Sequence, residues 1–177
     1  MSIHSEHPFL DPDGVRDAAR RLRGRVGGVV GLLTAGSGSD SSAARAGLTV
    51  SSVMVAHGEP AHLLALVDPD SDLAGVMASS GRAVFQLLSW EHRDLADAFA
   101  GVAPAPGGMF KLGRWSETRW GPLLEGVTAW AGVTVVSTGD VGWSSLVDGV
   151  LDEIHLAEPG EPLVHRRGRY VRPGSTS

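Results

Sequence analysis

Four short, almost unbroken apolar runs constrain this chain more than any other feature. They are Val29-Val30-Gly31-Leu32-Leu33-Thr34-Ala35, the stretch from Thr49 on through Val55, His62-Leu63-Leu64-Ala65-Leu66-Val67 and Ala83-Val84-Phe85-Gln86-Leu87-Leu88. Apolar runs of this length, bounded by turn residues such as His57-Gly58-Glu59-Pro60, read as strands buried in a sheet. Two longer strand-like segments follow, Thr128 to Ser137 and Ser145 to Leu156, with a turn expected at Gly139 to Gly142. Pro162-Leu163-Val164-His165 and a basic tail ending at Tyr170 come last.

Helices are few. Asp11-Pro12-Asp13-Gly14 offers capping residues for one over Val15 to Arg23, ended by Gly24, with Val15, Ala18, Ala19 and Leu22 on one face and arginines on the other. Asp68-Pro69-Asp70 caps a second over Ser71 to Ala78, and Ser89 a third over Trp90 to Phe99. Alternating βαβ units and internal repeats are absent. The pattern therefore predicts a mainly β chain, an antiparallel barrel whose closure removes exposed edges, with a few peripheral helices. Residues 1–14 read as a loose segment, 15–172 as one domain and 173–177 as a tail.

Composition narrows the chemistry. At 177 residues, 42% hydrophobic and 20% charged, the chain buries roughly two-thirds of its unfolded surface without a metal or disulfide staple. It has no cysteine, which excludes disulfides, thiolate metal sites and Cys nucleophiles. A net charge of −5 argues against general nucleic-acid binding, although Arg16, Arg20, Arg21, Arg23 and Arg25 cluster near the start. No apolar run approaches a membrane span and the first residues lack a signal peptide's apolar region, so a cytoplasmic protein is expected.

The segment richest in potential contacts is Gly47-Leu48-Thr49-Val50-Ser51-Ser52. Its three hydroxyls can each donate to an anionic or carbonyl oxygen while still accepting, which suits a phosphate or a flavin carbonyl. Strand hydroxyls facing water give the same pattern. Gln86 is the lone polar residue of its apolar run and needs a partner if buried. Trp115 and Trp120 lie in an irregular region, 101–121, and either cover a flat ligand or pack on the barrel or a dimer mate. Gly36-Ser37-Gly38 lacks the third glycine and the helix of a dinucleotide fingerprint. The histidines show no metal-ligand spacing, no G-x-S-x-G elbow occurs, and Arg166, Arg167 and Arg169 form either a phosphate fork or a solvated tail.

Taken in order, Arg25 to Ala35, GLTVSSVMV, HLLALVDPDSD, SGRAVFQLLSWEHRDLADAFAG, a tryptophan-bearing loop, GPLLEGVTAW and EPLVHRRGRY resemble the flavin-reductase-like family of FMN-binding split barrels over residues 16 to 170. The resemblance implies a homodimeric, antiparallel, Greek-key-like split β-barrel. It also implies an NAD(P)H:flavin oxidoreductase that takes FMN or FAD with NADH or NADPH and passes reduced flavin to an oxygenase. Its G-[ML]-T-x-S-S flavin segment falls on Leu48, Thr49, Val50, Ser51 and Ser52, and its next polar segment on Asp68 to Ser71, where Ser71 is the better phosphate ligand and Asp68 would repel one. Its ring-proximal strand falls on Gln86 and Leu87, its Phe-Ala-Gly helix end on Phe99, and its covering loop on Trp115. No side chain is implied as general acid or base, and no metal.

One departure stands out. Where the family carries Gly-Asp-His five residues before Gly-x-Val, this chain reads Gly142-Trp143-Ser144 before Gly149-Val150-Leu151. The missing His bears on nicotinamide-dependent activity more than on fold. Two other readings therefore stay open: a non-catalytic flavin or haem binder, and a flavoenzyme with bound FMN acting on an organic substrate.

Overall fold

The computed structural model describes residues 13–37, 44–172 and 174. The expected loose segment 1–14, most of the loop 36–46 and the tail 173–177 thus lie largely outside the described residues. Element order is α1 (Asp13–Val26), β1 (Gly28–Val29), β2 (Gly31–Ala35), β3 (Ala46–Val50), β4 (Val53–Ala56), β5 (His62–Val67), α2 (Asp72–Ser80), β6 (Arg82–Leu87), α3 (Arg93–Phe99), β7 (Trp115–Glu117), β8 (Pro122–Leu124), β9 (Ala129–Val141), β10 (Ser144–Leu156), β11 (Val164–Arg166) and β12 (Arg169–Val171).

Seven strands form one antiparallel sheet in the order β3-β2-β6-β9-β10-β5-β4. Its two edge strands, β3 and β4, are joined by Ser51-Ser52 alone. A flat seven-stranded sheet would hold its edges about 28 Å apart, six strand spacings of roughly 4.7 Å. A two-residue joint does not span that distance, so the sheet curls until its edges meet at this corner. The Leu66 N–H donates to the Ser52 carbonyl at 3.0 Å and fixes the meeting point. The result is the split barrel expected from the sequence.

Both faces of β2 are covered, which is why its sequence is apolar without alternation. Leu33 and Ala35 face the barrel interior with Leu63, Ala65, Val133 and Val147, where α2 inserts Leu73 and Met77. Leu32 and Val30 face the opposite way, under α3, with Leu95, Phe99 and Leu163. Each fully buried leucine contributes on the order of 2 kcal/mol by leaving water. Gly47 allows α3 to approach: a Cβ there would lie 2.6 Å from the Phe99 ring.

Several boundaries differ from expectation. The run from Thr49 to Val55 is not one strand but two, broken at the Ser51-Ser52 corner. The turn expected at Gly139 to Gly142 is Gly142-Trp143 instead, because the ladder continues to the pair Val141 with Ser144, and Gly142 supplies the left-handed φ of +59°. Helix α1 runs past Gly24 and ends where Gly27 N–H bonds the Arg23 carbonyl. The helix expected from Trp90 opens as a 3-10 turn and is α-helical only from Arg93. Region 101–121 is not wholly irregular, since Trp115–Glu117 pairs with Pro122–Leu124.

Candidate functional site

A cleft of about 600 Å³ opens where the curled sheet's edges meet. Its floor is Leu48 to Ser52, the end of β3 and the corner itself. One side is set by the register of β5 and β10: Ser145 lies opposite Val67, which brings Trp143 and Ser144 beside Leu66, Val67 and Asp68. The other side is Arg23, Val30, Ala100, His165 and Tyr170, assembled because β1 pairs with β11 and the end of α1 is held by the Arg167 N–H on the Gly24 carbonyl at 2.8 Å.

Each polar group has a definite state. Thr49 Oγ1 donates to the Ala96 carbonyl at 2.7 Å and ties β3 to α3, so it faces a ligand only as an acceptor. Ser52 Oγ makes a long contact of 3.4 Å to the Leu66 carbonyl, which a better partner can displace. Ser51 and Ser144 hydroxyls make no hydrogen bond among the described residues. Asp68 is exposed, and its Oδ1 accepts from the Asp70 N–H at 2.9 Å. Tyr170 donates to Asp97 at 2.8 Å, and burial together with that carboxylate pushes its phenol far above the ordinary range. It stays neutral and rigid at the wall. Trp143 is 48% exposed at the tip of the β9–β10 hairpin.

Of the residues expected from sequence, the structure brings Leu48, Thr49, Val50, Ser51, Ser52 and Asp68 together in this cleft. The other five lie elsewhere. Ser71 caps α2, accepting from the Ala74 N–H at 3.2 Å and donating to the Asp68 carbonyl at 2.7 Å, so both its roles are taken. Gln86 is fully buried, donating to Thr34 Oγ1 at 2.8 Å and to the Pro122 carbonyl at 3.3 Å while accepting from the Leu124 N–H at 2.6 Å. It clamps β6 to β2 and β8 rather than facing the cleft. Leu87 lines a separate cavity with Pro162 and Leu156. Phe99 is core, edge-on to Phe110 at 5.2 Å and to Trp115 at 5.8 Å, and Trp115 is held in that aromatic cluster.

Arg23, His165, Tyr170, Trp143 and Ser144 belong to the wall but were not singled out as ligand contacts. The Gly142-Trp143-Ser144 departure and the two basic stretches were the visible signals. Their convergence depends on the long-range pairing of β1 with β11. The donor set suits a flavin: apolar flanks and an aromatic face for a flat ring, free hydroxyls for its polar edge and a cationic side for a phosphate. Among the described residues no cluster of metal-ligating side chains occurs, and no helix is long and apolar enough to cross a membrane.

A sequence model of the flavin reductase like domain matches residues 23–174. The chain is 28% identical to the 4-hydroxyphenylacetate 3-monooxygenase reductase component of Pseudomonas aeruginosa, over 85% of this chain and 87% of that protein. It is 27% identical to an FMN reductase (NADH) of Variovorax paradoxus, over 85% of this chain and 82% of that one. Among solved structures, an NADH:FAD oxidoreductase of Streptomyces globisporus matches with a TM-score of 0.79, covering 95% of this chain and 93% of that one at 19% identity, a likeness of fold.

Proposed function

The chain belongs to the flavin-reductase-like family, and we propose on that premise that it is a flavin reductase that takes FMN or FAD with NADH as electron donor. The observation that carries this reading is the cleft at the Ser51-Ser52 corner, where the family's flavin segment forms the floor. A bound flavin supplies the redox chemistry itself, accepting a hydride and passing two electrons onward. The protein's part is to hold and orient. Leu48, Val50, Leu66 and Val67 offer apolar surface to the ring, Ser51, Ser52 and Ser144 offer hydroxyls to its polar edge, and Trp143 offers a face on which an aromatic ring can stack. None of these side chains is proposed to move a proton.

The reductase activity points to a separate acceptor of reduced flavin, an oxygenase component of the kind named for the Pseudomonas aeruginosa relative. We place the protein in the cytoplasm, where reduced nicotinamide nucleotides are supplied. We also propose a homodimer. Met54 and Val55 on edge strand β4 are 66% and 62% exposed, and adjacent strand residues point to opposite faces, so both sides of that edge are bare.

Trp143 and Ser144 favour a second reading. They occupy the cleft where the family resemblance places Asp and His, and a tryptophan there suits a flavin that stays bound. Oxidation of NADH and of NADPH by the purified protein, with and without added FMN, separates the two. A rate that rises with FMN and saturates is the expected result. Stoichiometric bound flavin with no oxidation of either nucleotide would replace the reductase by a flavin-retaining protein.

A further inference from the structure

Among the described residues a single imidazole borders the cleft, that of His165 on β11, in the wall across from Trp143 and Ser144. Its backbone is fixed on both sides, because His165 pairs with Gly28 of β1 and with Tyr170 of β12. Its ring is fixed as well, edge-on to the Tyr170 ring with centroids 5.6 Å apart at 70°. Tyr170 is itself held by its bond to Asp97 of α3 at 2.8 Å. The His165 ring nitrogens nevertheless make no hydrogen bond among the described residues. Packing against Tyr170 accounts for the orientation of this half-buried ring but gives its two nitrogens nothing to do.

The other polar groups of the cleft cannot change their charge to suit a ligand. Serine and threonine hydroxyls stay neutral, and a guanidinium stays positive. Burial and the Asp97 carboxylate hold the Tyr170 phenol far above its ordinary range. Imidazole is the side-chain group that gains and loses a proton near neutral pH. Reduction by NADH is a step that creates charge: the hydride brings two electrons and one proton to the ring, the nucleotide leaves as NAD+, and one negative charge remains on the ring.

We propose that His165 meets this charge. It takes a proton from water as the ring is reduced, and the imidazolium donates a hydrogen bond to the ring's polar edge beside Ser51 and Ser52, which border the same small recess as His165. The proposal rests on the flavin reading of the cleft and adds to it a group that tells the reduced cofactor from the oxidised one. A contact that strengthens as charge develops favours the transfer itself and not binding alone. Arg20 and Arg23 of α1 border that recess too, Asp97 lies behind Tyr170, and Asp68 lines the far side of the cleft. The arginines carry their charge in both redox states, whereas His165 acquires one only when the ring does.

Dissociation constants for oxidised FMN, by fluorescence, and for reduced FMN, by anaerobic titration, test this in the wild type, His165→Gln and His165→Lys. The wild type should bind reduced FMN more tightly than oxidised FMN. His165→Gln should cut that preference at least tenfold, a fall of about 30 mV or more in the potential of the bound flavin, with oxidised FMN still bound within twofold of wild type. His165→Lys, which keeps a cation but not the ring, should retain most of the preference. An unchanged preference in His165→Gln would overturn the proposal while the flavin cleft stands. So would an equal loss of affinity for both redox forms, or a preference lost alike in Gln and Lys, since each marks a role in shape and not in charge. If the wild type binds neither form of FMN, the flavin reading fails and the role of His165 with it.

Discussion

Replacing Gln86 with Leu removes two donors and one acceptor from the interior and leaves the Leu124 N–H without its partner, while the Pro122 carbonyl still accepts from Thr34. One orphaned buried donor costs about 1–3 kcal/mol. Gln86→Leu should therefore lower unfolding free energy by that amount in urea titrations and leave FMN affinity within twofold, because the side chain has no face toward the cleft. A large loss of FMN affinity at unchanged stability would contradict this placement. Trp143 should behave in the opposite way. Stacking beyond simple burial contributes about 0.5–1.5 kcal/mol, so Trp143→Ala should weaken FMN binding by roughly two- to tenfold and Trp143→Phe by less. Leu48 to Ser52 were legible as one group of cleft-lining residues because they are contiguous in sequence. Gln86 was misplaced because a lone polar residue in an apolar run looks the same whether it meets a ligand or an internal clamp. Its partners Thr34 and Leu124 are 52 and 38 positions away.

At the level of elements, the turn that leads into α3 carries a pH dependence. Burial pulls the His92 imidazole below its ordinary value of 6.5, with the Glu91 charge partly opposing the shift. The folded protein keeps the ring neutral, with Nδ1 accepting from the Ser89 N–H at 3.1 Å. The unfolded chain takes up a proton near pH 6.5 and the folded one only at lower pH, so stability falls as pH drops below 6.5 toward the folded value. Urea melts over that window should show a steeper decline for the wild type than for His92→Gln, and equal slopes would refute the assignment. The strands were legible because apolar runs of this length leave few alternatives. The break at Ser51-Ser52 was not, since nothing local separates two collinear strands from two strands on opposite edges of a curled sheet. The hairpin turn was ambiguous for a similar reason: Gly139-Asp140 and Gly142-Trp143 both look like turns, and only the ladder pairing Val141 with Ser144 decides.

For the molecule as a whole, the bare edge at β4 and the cleft at the Ser51-Ser52 corner are neighbours, because β4 starts at Val53. A second copy covering that edge would lie close to the flavin. Sedimentation velocity should find a dimer, and Val55→Glu, which puts a charge on the 62% exposed edge position, should shift it to monomer with the barrel intact. A wild-type monomer at micromolar concentration would remove the dimer from the picture. The barrel as a whole was legible from the order of its segments, whereas the wall contributed by α1, β11 and the β9–β10 tip was not, because it joins residues from both ends of the chain. The most direct measurement is a crystal structure of the protein grown with FMN. Density for the ring between Leu48–Ser52 and Trp143 is the expected result. A flavin seated instead in the separate cleft by His92 and Arg114, or against Leu87 and Pro162, would contradict it.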